Sequence, residues 1–333
     1  MRAFVVTEPG SCAVREWPEP VASKSEVLVR PVLAGMCGTD VELIDGTIDP
    51  AYVRYPLVLG HEWVGELMNE SDLGPAGTRV VVEGIIPCGA CAACHRGATN
   101  LCEVYDEIGF TRAGAIADRV SVPASLVHRL SDDVSVDDAV LVEPMAVVWR
   151  ALTRFALRPG LRVAVVGDGT IALLATHMVQ LLEPSRTTVI GRREEQRALA
   201  LRAGADEFLI DAPTTSFDLV IEAAGNANAV RTALAHCARG GVVILLGLPT
   251  HGTVVEIAPD DLVNNDVIIE ASFSYTRDAF ADVVAQLNVG ALRPSFVITH
   301  RFPLDRAEEA IAALRGGATH EPRGKVVIDL ASG

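Results

Sequence analysis

The chain has 333 residues, half of them hydrophobic, and carries 28 Lys+Arg against 43 Asp+Glu, a formal net charge of −15. That length exceeds a usual single core, so two domains are expected. The acidic balance argues against nucleic acid or anionic lipid as partners, and the longest apolar runs, such as "GVVILLGL", are far too short to cross a bilayer.

The start, "MRAFVVTEPG", lacks the charged, long-apolar, small-residue pattern of a secretory signal. The expected compartment is therefore the cytoplasm, where thiols stay reduced. Residues 1–145 contain short β-rich runs ("EVLVRPVLAG", "TRVVVEGII", "DRVSVPASLVHRL") broken by Gly, Pro and Asn, which predicts a strand-rich, loop-rich domain. Within it, "AGMCGTDVELIDG" offers Cys37 and "YPLVLGHEWVGEL" offers His61 and Glu62. Cys, His and carboxylate are a ligand set suited to a catalytic zinc with an open position for substrate. Further on, "IIPCGACAACHRGATNLCEV" holds Cys88, Cys91, Cys94 and Cys102, four of the seven cysteines. Cysteines at every third position do not readily pair with one another, whereas a loop can fold four thiolates around a tetrahedral structural zinc. The competing reading is a set of free loop cysteines. "VLVEPMAVVWRAL" then supplies Glu143, an acid among apolar residues, which needs a partner if buried; a metal would be one.

From about residue 160 the rhythm becomes strand, helix, strand: "RVAVVG", "GTIALLATHMVQLL", "TTVIG", "EEQRALALRAG", "FDLVIEAAG" and "GGVVILLGL". This alternation predicts a parallel sheet covered by helices over residues 146–290. Residues 291–333, with "SFVITHRFPLDRAEEAIAALRGG" and "GKVVIDL", are expected to complete the first domain. At the first strand-to-helix junction, Gly167, Gly169 and Ala172 of "VVGDGTIALLA" fit the GxGxxG/A dinucleotide fingerprint. Pyrophosphate would lie at the positive helix end, near Thr170 and Ile171. Ala224 and Gly247 are expected to add to cofactor binding, and the Asp168 side chain to point away. The second strand ends "TTVIGRREEQR", with Gly191 where an NAD-binding carboxylate would stand and Arg192 and Arg193 next. A missing acid and two guanidiniums favour NADP(H) over NAD(H), and an aspartate at 191 is expected to invert that preference. The alternative is a solvated charge cluster opening the next helix.

The motifs "GMCGTD", "LGHEWVGEL", "CGACAACHRGATNLC", "LVEPMAV" and "VVGDGTIA", in that order over essentially the whole chain, resemble the zinc-dependent medium-chain dehydrogenases. The resemblance implies an α/β fold: a GroES-like catalytic domain, an inserted Rossmann domain with a doubly wound parallel sheet, an active site in the cleft, and a homo-oligomer, either dimer or tetramer. It assigns Cys37, His61 and Glu62 to the catalytic zinc and Glu143 to the glutamate of the sorbitol, threonine and glucose dehydrogenase branch. Either Glu62 or Glu143 would be the resting carboxylate ligand. Cys88, Cys91, Cys94 and Cys102 match the structural zinc lobe, giving two zinc ions per chain. Thr39 resembles the hydroxyl that relays a proton, and Asp40 a carboxylate orienting the histidine ligand, with a plain helix N-terminal acid as its other reading. Glu42 stands where many alcohol and polyol enzymes carry histidine, and suits a hydroxyl-rich substrate. The expected reaction is reversible hydride transfer between a secondary alcohol of a sugar, polyol or cyclitol and NADP. A threonine-type amino-alcohol dehydrogenase, or a family member retained only for cofactor binding, are the alternatives.

Overall fold

The computed structural model describes residues 1–211, 213–316 and 321–331. The chain divides into two compact units, one of Met1–Ala146, Thr276–Thr319 and Lys325–Gly333, the other of Val147–Tyr275 and His320–Gly324.

The first unit is built on a seven-stranded sheet. Its central strand, Glu26–Met36, pairs antiparallel with Glu62–Leu67 on one side and Lys325–Asp329 on the other, while Val120–Pro123 also pairs with it. Two registers matter for chemistry. Gly35 lies opposite Glu62, and Met36 opposite Val326. The end of one strand, the start of the second and the start of the third therefore meet at one place. A smaller sheet, Ser11–Glu16, Arg2–Glu8 and Leu57–Val58, adds to the same unit. The core beneath includes Phe4, Leu33, Met36, Leu57, Trp63, Ile116 and Val326.

Helix Arg277–Asn288 belongs to this first unit, whereas the sequence rhythm placed residues up to 290 in the second. Polar contacts account for the difference. Arg277 donates through Nε to the buried Glu83 at 3.2 Å and through its backbone N to Thr99 Oγ1 at 3.2 Å.

The second unit is a six-stranded parallel sheet in spatial order Glu207–Leu209, Arg186–Ile190, Arg162–Val166, Phe217–Glu222, Cys237–Leu245, Ile268–Ala271. Numbered along the chain this is 3-2-1-4-5-6, the order of a dinucleotide-binding doubly wound fold. Val163–Val166 are buried on both faces, which is why that strand reads as continuous apolar sequence rather than as alternation. Order reverses between Arg162–Val166 and Phe217–Glu222, and the loops after both strands meet there. Gly167, at φ +131°, lies so close to the second loop that a Cβ on it would sit 3.0 Å from the carbonyl carbon of Ala223.

Candidate active site

Cys37 follows the central strand of the first unit and caps helix Gly38–Asp45. The strand register brings His61 and Glu62 beside it, so that one donor atom from each of Cys37, His61 and Glu62 lies within 4.8 Å of the others. Asp40, fully buried in the first turn of the helix, fixes two of these three. Its Oδ2 accepts the Cys37 backbone N–H at 2.7 Å, and its Oδ1 stands 3.5 Å from His61 Nδ1. Burial alone would lower the His61 pKa, but the Asp40 carboxylate outweighs it and holds the imidazole well above its ordinary value. With Nδ1 turned to Asp40, Nε2 is the nitrogen left to act as a ligand. Thr39 is half-buried, with Oγ1 3.6 Å from Cys37 Sγ. Glu42, a turn further along the same helix, stands outside the cluster of donor atoms.

Two residues absent from the sequence reading complete this site. Lys325 opens the last strand and its Nζ pairs with Glu62 Oε2, both side chains being almost wholly buried. Burial lowers the Lys325 pKa, but the charges of Glu62 and Cys37 raise it more, so the ammonium persists. Gly35 makes the room: a Cβ there would lie 2.5 Å from Glu62 Oε2 and 2.8 Å from Lys325 Cε. Glycine two positions before Cys37 was the only available signal, and it names no partner.

Glu143 lies in the first turn of helix Val142–Thr153 and outside the triad of donor atoms. Burial, and next the Glu62 carboxylate, push its carboxyl up to about 8. Glu107, raised by burial and accepting a hydrogen bond from the Tyr105 hydroxyl, also acts on His61 and Glu143. Acids crowded round a thiol and an imidazole repel one another, and a divalent cation between them removes that cost. The donor set, one S, one N and one O, suits zinc.

The four-cysteine loop forms a second cluster, with all four sulfurs within 4.8 Å of one another. Backbone N–H groups point at the sulfurs, from Ala90 to Cys88 and from Cys94 to Cys91 at 3.5 Å and from Cys88 to Cys102 at 3.3 Å. Such bonds favour thiolate: the Cys91 pKa falls to about 6, led by the backbone N–H of Glu103, and Cys88 is lowered chiefly by that of Ala90. Burial pushes Cys94 up to about 12. Crowded thiolates hydrogen-bonded by backbone amides fit a structural zinc.

In the second unit a cavity of about 320 Å³ opens at the switch point, lined by Gly167, Asp168, Gly169, Arg192 and Ala224 among others. Thr170, Ile171, Arg193 and Gly247 are not in its wall. Asp168 does not merely turn aside. Its Oδ2 accepts the backbone N–H groups of Arg192 at 2.9 Å and Arg193 at 3.0 Å, and its Oδ1 accepts Arg193 Nη2 at 2.8 Å. Burial pushes this carboxyl up, and those bonds, led by the Arg193 side chain, more than reverse it. Arg193 is thus spent on Asp168, while Arg192 is exposed at the cavity. Gly191 is tightly enclosed, since a Cβ on it would lie 2.4 Å from Phe208 Cζ and 3.0 Å from Asp168 Cβ. An aspartate at 191 therefore requires Phe208 to shift, a steric cost that the sequence alone does not show.

Comparison with known proteins agrees with this architecture. A family described as the alcohol dehydrogenase GroES-like domain matches residues 23–132, and one described as the glucose dehydrogenase C-terminus matches residues 136–317. An L-threonine 3-dehydrogenase of Streptomyces avermitilis is 32% identical, covering 99% of each chain. A sorbitol dehydrogenase of Bacillus subtilis is 27% identical over 93% of this chain and 92% of its own. Among solved structures, a Sinorhizobium meliloti protein bound to NADP superposes with a TM-score of 0.91 at 27% identity, covering 98% of each chain.

Proposed function

Because the chain belongs to the zinc-dependent medium-chain dehydrogenases, we propose that it interconverts a secondary alcohol of a sugar, polyol or cyclitol with its ketone, using NADP(H) and holding two zinc ions. The observation that carries this reading is the closure of Cys37, His61 and Glu62 donors to within 4.8 Å, with further carboxyl groups in electrostatic reach. Cys37, His61 and Glu62 would hold the catalytic ion and the four-cysteine loop the other. When bound, the catalytic ion supplies Lewis acidity toward the substrate oxygen, and the nicotinamide supplies the hydride acceptor.

The remaining work falls to the chain. Asp40 holds His61 in one tautomer and the Cys37 backbone in place, so both ligands are oriented before substrate arrives. Thr39, half-exposed beside Cys37, is suited to take the substrate hydroxyl proton and pass it outward. Lys325 balances the Glu62 charge. Carboxyl groups of Glu107 and Glu143 favour a substrate with several hydroxyls, each able to donate a hydrogen bond. The same acids also suit an ammonium, and the 32% identical L-threonine 3-dehydrogenase supports an amino alcohol as the second reading. For the cofactor, the enclosed Gly191 leaves no acid to repel a 2′-phosphate, and Arg192 is free to bind one.

The test combines elemental analysis with initial rates on sugars, cyclitols, polyols and L-threonine, each with NADP⁺ and NAD⁺. Two zinc ions, turnover of a polyol class with NADP⁺ and its loss in Cys37→Ala are expected. Turnover of threonine alone selects the second reading. A single zinc, with Cys37→Ala fully active, removes the catalytic assignment.

A further inference from the structure

The loop after Arg186–Ile190 is tied to a chain segment far away in sequence. Gln196 is fully buried. Its Nε2 donates to the backbone carbonyls of both Asp168 and Arg323, the latter at 2.9 Å, and its Oε1 accepts the Arg323 backbone N–H at 2.7 Å. One amide therefore holds the Arg323 backbone in a reciprocal pair and fastens it to the residue that binds Arg193. The Arg323 guanidinium makes no hydrogen bond or ion pair among the described residues, and it is half-buried. Burial lowers its pKa, and the facing Arg193 lowers it further, against a smaller opposite effect of Asp168.

The guanidiniums of Arg193 and Arg323 thus both act on one carboxylate, Asp168, which lines the cavity together with the exposed Arg192, so that three arginines stand against one acid there. Like charges held together in a partly desolvated place cost free energy, and an anion binding among them returns it. The excess is two positive charges. A phosphate monoester dianion matches it, whereas a ribose hydroxyl does not.

We propose that Arg323 is a specificity-determining residue for the cofactor, contributing the second free guanidinium beside Arg192 at the 2′-phosphate, with Arg193 neutralising Asp168. This rests on the NADP(H) reading above and adds to it a residue from the C-terminal segment. Gln196 grips only the backbone of Arg323, so changing the side chain leaves the staple intact.

The experiment measures dissociation constants of NADP⁺, NAD⁺, adenosine 2′,5′-bisphosphate and adenosine 5′-monophosphate for the full chain and its Arg323→Gln and Arg323→Lys variants, with thermal unfolding of each. Arg323→Gln is expected to weaken NADP⁺ and the bisphosphate about tenfold or more, to leave NAD⁺ and the monophosphate within about twofold, and to flatten the salt dependence of NADP⁺ binding. Arg323→Lys, keeping the charge, recovers a large part of the loss. If the native chain prefers NADP⁺ and Arg323→Gln weakens all four ligands equally or none, this proposal alone is overturned. If the native chain binds NAD⁺ as tightly as NADP⁺, the cofactor reading fails and the role of Arg323 fails with it.

Discussion

Replacing Lys325 by Met keeps the length and packing of the side chain and removes its charge. Glu62 is then left almost wholly buried, without its cationic partner. Breaking a buried pair from one side costs about 3–5 kcal/mol. Urea unfolding of chelator-treated native chain, Lys325→Met and the double variant Glu62→Gln with Lys325→Met measures it. The single variant should lose about 3–5 kcal/mol, and the double variant should recover to within about 1.5 kcal/mol of native. A double variant no more stable than the single one refutes the account of Lys325 as the buried counter-charge of Glu62.

Glu222 gives a pH test in the other unit. It is fully buried, and its Oε1 accepts the N–H groups of Ala224 at 2.9 Å and Gly225 at 2.7 Å. Burial raises its pKa, so its contribution to stability is complete below the unfolded value and is lost as pH rises through the folded one. Glu222→Gln should therefore gain on the native chain as pH goes from 4 to 8 in chemical denaturation, and parallel curves would contradict this. Gly191→Asp should lose about 1–3 kcal/mol to the collision with Phe208 without acquiring NAD⁺ preference, read by thermal melts and cofactor titration. Cys94→Ala should lower the zinc content by one ion and reduce stability, as seen by elemental analysis and melting, because lobe zinc contributes folding energy; retention of both ions would count against the lobe.

Legibility followed the range of the interactions. Val163–Val166 could be read because a strand buried on both faces must be apolar throughout, and Gly167 because the close approach to Ala223 excludes a side chain. Cys37, His61 and Glu62 could be read as ligand types, yet what joins them is a strand register, Gly35 against Glu62, and register leaves no mark on a single strand. Lys325 and Arg323 were missed for one reason: each is placed by a partner more than a hundred residues away, Glu62 and Gln196 respectively. Arg193 was legible as a charge, but nothing in "GDGT" announces its pairing with Asp168. Helix Arg277–Asn288 continues the strand-helix rhythm in sequence and leaves it in space, drawn by the buried Glu83.

The crowding of the four lobe sulfurs gives the molecule a memory. Cys88 Sγ and Cys94 Sγ stand only 4.0 Å apart, and Cys91 is thiolate-prone near neutral pH. While an ion occupies the loop, those electron pairs are engaged. Once it leaves in air, the freed thiolates oxidise where they stand, and returning the ion no longer restores the loop until a reductant has acted. With zinc held there as proposed, stripping and refilling would be a closed cycle only under reducing conditions; elsewhere it would run one way, and two samples of identical composition would differ by what they were exposed to and in which order.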